Sequence, residues 1–204
     1  MKILVILFLS LSFVTSYGQT PEFNGRTWEA PYHLSSPANW GIERFPIPIG
    51  FVPQISYTGV EDIRFTPGWA KATSDEYWSY AFLWYLDGEV NMDAKIIESN
   101  LQQYYSGLIA ANGSNIPKEK LIPVVTSFKE AAKDSNDLKT YIGTISMLNY
   151  MTQQAIVLNC KVHVKFCVGE TKTFIFYELS PKPLSHAVWQ SLDKLWADFK
   201  YKKE

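Results

Sequence analysis

Three carboxylate pairs, Glu61/Asp62, Asp75/Glu76 and Asp87/Glu89, have the residue types and spacing that could do acid–base chemistry. A glycoside hydrolase needs two carboxyl groups facing each other across a cleft, one to protonate the leaving oxygen and one to activate water or attack. Asp75 and Glu76 also read as the polar residues ahead of an apolar run, and Asp87-Gly88-Glu89 as the turn after it. A hydrolase working through Asp87 and Glu89 is therefore the alternative reading, not the first.

The other routes to catalysis leave no mark. His33, His163 and His186 lie far apart with no ligand-like spacing, and read as solvated or hydrogen-bonded surface residues. The chain has no Gly-x-Ser-x-Gly turn, phosphate-binding loop, dinucleotide loop, calcium loop or His-Glu-x-x-His helix. No metal or cofactor is expected.

Cys160 and Cys167 would ordinarily pair in an exported protein. They sit at the two ends of an alternating stretch. Cys160, Val162, Val164, Phe166 and Val168 share one strand face, and Lys161, His163, Lys165 and Cys167 share the other. Seven residues of strand span roughly 23 Å, whereas disulfide Cα atoms lie within about 7 Å. A continuous strand thus leaves Cys160 in the core, and Cys167 as a free thiol or a homodimer contact.

Aromatic residues make up 15% of the chain, with seven tryptophans. Trp78 and Trp84 belong to the apolar run 77–86 and are expected in the core. Trp28, Trp40 and Trp69 stand in irregular segments and are the better candidates for a ligand surface. Flat rings of this kind stack on sugars and other planar groups.

Residues 1–18 have the three parts of a cleavable export signal. Lys2 supplies the charge, Ile3 to Val14 the apolar run, and Ser16-Tyr17-Gly18 the small residues before Gln19. The run is shorter than the roughly 20 apolar residues of a bilayer span. The mature protein is expected to be soluble, in the periplasm or outside the cell. Losing Lys2 turns 19 basic against 20 acidic residues into 18 against 20, a net charge of −2. That balance lacks the basic face nucleic acid requires.

These residues have to be carried by elements. Ile97, Leu101, Tyr104 and Leu108 fall on one face of a helix over 93–110, with Asn91 or Asp93 as its cap. Val188, Leu192, Leu195 and Phe199 do the same over 185–200, after Ser185 as N-cap. Strands are predicted at 60–65, around 122–128, around 140–147, through Cys160, and over 171–179, the last two joined as a hairpin at Gly169-Glu170. For 77–86, Thr73-x-x-Glu76 and Gly88 suggest helix ends, while the aromatic content and two-sided apolarity favour a central strand, which we choose. Pro21, Pro31, Pro37, Pro46, Pro48 and Pro53 make 19–58 an ordered coil packed on a single domain over 59–204.

The expected class is α+β, a mainly antiparallel sheet with two packed helices. The order of elements over about residues 60–200 resembles that of the PsbP-like fold, whose domains serve mostly as exported accessory proteins. That resemblance and the lack of a catalytic constellation point to an exported, non-enzymatic binding or accessory domain. Its expected partner is an envelope protein or glycan.

Overall fold

The computed structural model describes residues 23–134 and 137–201; the export-signal reading over 1–18 lies outside the described residues. Nine strands and two α-helices follow in chain order. They are β1 (Tyr32–His33), β2 (Gly41–Ile47), β3 (Gly59–Phe65), β4 (Tyr80–Asp87), α1 (Ala94–Asn112), β5 (Val125–Glu130), β6 (Lys139–Asn149), β7 (Gln154–Cys167), β8 (Lys172–Ser180), α2 (Val188–Ala197) and β9 (Lys200–Tyr201). Seven strands form one antiparallel sheet in the order β2-β3-β4-β8-β7-β6-β5, and β1 pairs with β9. This is the expected α+β class. Among the described residues no helix is long and apolar enough to cross a membrane.

From Tyr80 on, the ambiguous apolar run is a strand because both of its faces are covered, whereas Tyr77 and Trp78 belong to the turn ahead of it. Tyr80, Phe82, Trp84 and Leu86 lie in the cluster under α1, and Ala81, Leu83 and Tyr85 in the cluster under α2. The apparent capping box before it starts no helix. Glu76 instead accepts from the Gly68 amide at 2.8 Å, closing the loop that leads into β4.

α1 begins as expected, with Asp93 Oδ1 accepting from the Ile96 amide at 2.8 Å. α2 is shorter than the helix expected over 185–200, and Ser185 is not its cap. The N-cap position is Ala187, and the His186 ring accepts from the Val188 amide at 3.2 Å. The β7–β8 hairpin turns through a short 3-10 helix at Val168–Glu170, followed by Thr171 in the left-handed region. β7 runs unbroken from Gln154 to Cys167, and both cysteines are free thiols. Cys160 is buried, while Cys167 is half-buried against the cluster under α2.

The expected coil over 19–58 is corrected between Gly41 and Ile47, which pair in full register with β3. Proline excludes a central strand but not an edge strand, where only one side must pair, and Pro46 lies on the edge. What anchors the rest of this segment is charge. Asp62 is fully buried and accepts from Arg64, from Arg44 Nε at 2.9 Å and from the Tyr32 hydroxyl at 3.2 Å. Arg64 also donates to the Leu34 and Ser35 carbonyls at 3.2 and 3.1 Å. One buried guanidinium therefore satisfies β3's carboxylate and stitches the chain before β2 onto the sheet.

Removing Arg64 leaves buried Asp62 with only the part-exposed Arg44 and the Tyr32 hydroxyl, and takes away the bonds to Leu34 and Ser35. Arg64→Met is expected to lower unfolding stability by about 3 kcal/mol in denaturant titration. A change below about 1 kcal/mol, the surface-pair range, would contradict this role.

Candidate functional site

The face of the sheet beneath α1 carries an aromatic cleft with a cavity of about 490 Å³. Several separate stretches of chain build it. Glu43 and Phe45 on β2 and Ile63 and Phe65 on β3 form its base, since alternate residues of paired strands share a face. Tyr104, Leu108 and Asn112 of α1 form one wall, and Phe51 the rim beside them. The loop holding Phe51 can approach because Gly107 stands in the helix: a Cβ there would lie 2.3 Å from the Phe51 carbonyl oxygen. Tyr150, from the turn between β6 and β7, closes the far side.

The β3–β4 loop supplies the remaining wall. The Trp78 amide donates to the Trp69 carbonyl at 2.8 Å, and the Thr66 hydroxyl donates to the Ser79 carbonyl at 2.7 Å. These bonds bring together two indoles nine positions apart. Trp69 stacks on Phe65 at 4.4 Å between centroids and stands at 84° to Trp78. Trp78 has a φ of +53°, a conformation that costs a bulky residue of order 1–3 kcal/mol and clusters at functional sites. Trp78 is 1% exposed, and its indole N–H has no hydrogen-bond partner among the described residues. A buried donor left unpaired carries a desolvation cost that an acceptor from outside the chain would offset.

Glu61 lies one cross-strand position deeper, paired with Phe45 on β2 and Trp84 on β4. One oxygen accepts from the Trp84 indole at 3.0 Å, and the carboxyl also interacts with the Tyr104 hydroxyl of α1. Burial pushes this carboxyl up to about 7.

Of the tryptophans singled out in the sequence, Trp69 alone belongs to this cleft. Trp28 packs on the opposite face, with the Arg44 guanidinium 5.8 Å from its ring centroid. Trp40 borders a groove of about 340 Å³ against α2. The carboxylate pairs do not converge either. Glu61 and Asp62 point to opposite faces of β3, Asp87 is exposed and paired with Lys172, and Glu89 is exposed at the end of the sheet.

A second polar centre, unseen in the sequence, lies under α2. His163 was expected at the surface and is buried, because α2 and the chain ahead of β6 cover its strand face. Its Nδ1 lies 2.7 Å from Asp137, which also accepts from the Thr140 hydroxyl at 2.5 Å and the Trp196 indole at 2.8 Å. Its Nε2 sits 3.5 Å from Glu178, within ion-pair reach but outside hydrogen-bond geometry. Lys161, 3.9 Å from Glu178, is held mainly by Asp193. Burial pulls His163 down, but the hydrogen bond to Asp137 and the charge of Glu178 outweigh it and lift the imidazole to about 9. Burial lifts Glu178 to about 7 against the pull of His163. All three groups lie out of water, and among the described residues no His, Cys, Asp and Glu group is arranged to hold a metal. This centre pins α2 and residue 137 to the sheet.

Comparisons with protein-family models, with curated proteins and with solved structures find no match.

The buried groups set a pH dependence. Glu61 and Glu178, raised from 4.5 to about 7, favour the folded state most below 4.5, and that contribution is lost as pH rises through about 7. His163, raised from 6.5 to about 9, favours folding below 6.5 and loses this as pH rises through about 9. All three act in one direction. The denaturant midpoint is expected to fall steadily between about pH 5 and about pH 9, with a shallower slope in Glu178→Gln. A midpoint that rises over that range would contradict the assignment.

Proposed function

We propose that this chain is an exported, non-catalytic binding domain, and that the aromatic cleft under α1 holds its ligand. The observation that carries the reading is the cavity of about 490 Å³ walled by rings, with the unpartnered Trp78 indole beside it. A volume in that range suits a small organic molecule or one protruding group of a larger one. The export signal favours an envelope protein or glycan as the bearer of that group. Strain in the backbone at Trp78 supports the reading, since a core with no further task would relax it.

A neutral apolar fluorophore, N-phenyl-1-naphthylamine, is expected to bind saturably with enhanced emission. Trp69→Ala, at a half-buried position, should weaken it at least about tenfold through loss of a stacking wall. Leu108→Trp should block it by filling the cavity. Binding indifferent to both substitutions, in variants whose thermal unfolding stays cooperative, would overturn the reading. The hydrolase alternative predicts turnover of an envelope polymer that Asp87→Asn or Glu89→Gln abolishes.

A further inference from the structure

We propose that the group held in the cleft is an organic cation of quaternary-ammonium type, carrying an oxygen acceptor a few atoms away. The inference rests on the binding reading above and adds the chemistry of the occupant. Three features of the cleft carry it.

The first is ring geometry. Trp69 and Trp78 stand at 84°, Trp78 and Tyr150 at 73°, and Phe51 and Tyr104 at 74°. Trp69 also stacks on Phe65 at 29°, so the perpendicular rings add adjoining walls to a stacked base and make a box. Aromatic faces carry the negative part of the ring quadrupole, and a box of them suits a compact, weakly hydrated cation.

The second is charge. Glu43 is the one charged side chain among the described residues that line the cleft, and no lysine, arginine or histidine stands with it. Arg44 and Arg64 lie across the sheet, engaged with Asp62. The Glu61 carboxyl lies behind Phe45 on the cleft side of β3, so the nearest deeper ionisable group adds no positive charge. An acyl carboxylate or phosphate entering here would meet an acidic group with no counter-charge. A neutral sugar would find stacking rings but few polar partners at the base, where Phe45, Ile63, Phe65 and Tyr80 dominate. A methylated ammonium needs no hydrogen bonds at its head and gains from both the rings and Glu43.

The third is the open donor. The buried indole N–H of Trp78 has no partner among the described residues. Choline has the complementary parts: a trimethylammonium head and, two carbons away, a hydroxyl oxygen that can accept.

The test compares choline with 3,3-dimethylbutan-1-ol, the neutral carbon isostere of the same shape, by calorimetric titration of the purified chain. Choline is expected to bind at least about tenfold more tightly, because the isostere keeps the apolar contacts and loses the cation–ring and carboxylate attraction. Glu43→Gln, at an exposed position, should weaken choline and leave the isostere unchanged. Equal affinity for the two, stronger binding of the isostere, preference for methyl β-glucoside, or binding of neither would each overturn the proposal. If N-phenyl-1-naphthylamine still binds in a Trp69-dependent manner, only the cation inference falls. If that probe fails as well, the binding reading falls with it.

Discussion

The central strands of the sheet are covered on both faces, and the rest of the molecule follows from that constraint. β4 and β8 are buried along nearly their whole length, and β3 carries Glu61, Asp62 and Arg64 into the same dry layer. A buried charge without a partner costs several kcal/mol, roughly the margin by which a domain is stable. Each polar residue on these strands therefore has to recruit neighbours from distant chain. Asp62 and Arg64 recruit the segment around Tyr32, Leu34 and Ser35. His163 and Glu178 are reached by Asp137 and flanked by α2 through Trp196 and Asp193. Glu61 recruits the Trp84 indole and the Tyr104 hydroxyl.

The two faces of β3 meet different surroundings, a buried charge cluster on one side and the aromatic cleft on the other. Asp62 and Arg64, on the α2 side, hold the N-terminal segment in place. Ile63 and Phe65, on the α1 side, form the base of the cleft. Because neighbouring residues of a strand point to opposite faces, substitutions one position apart should report on different properties. The aromatic surplus divides in the same way. Tyr32, Phe174 and Phe176 pack with Trp196 of α2, whereas Phe65, Trp69, Trp78 and Tyr150 stand around a cavity.

Local periodicity made much of the fold legible. The heptad-like spacing of Ile97, Leu101, Tyr104 and Leu108 located α1, and the two-sided apolarity of 77–86 located a central strand. The alternation through Cys160 located β7 and kept the two thiols apart. β2 was hidden because proline argues against strand, and edge position is a property of the whole sheet. His163 was hidden for a related reason. Lys161, His163 and Lys165 mark a polar face, but whether water or a helix meets that face depends on chain 26 to 33 residues away. The cleft shows the same limit. Trp69 stood out by type, yet Phe51, Tyr104 and Tyr150 reach it only through tertiary closure.

The central claim is that a ligand enters the cleft between α1 and β3 and meets the Trp78 indole. Nitrogen-15 labelling resolves the indole N–H resonances of the seven tryptophans. Titration with choline should shift Trp78 most, with Trp69 following, while Trp189 and Trp196 on α2 stay in place. Shifts confined to Trp28 and Trp40, or a spectrum unchanged at saturating choline, would contradict the account.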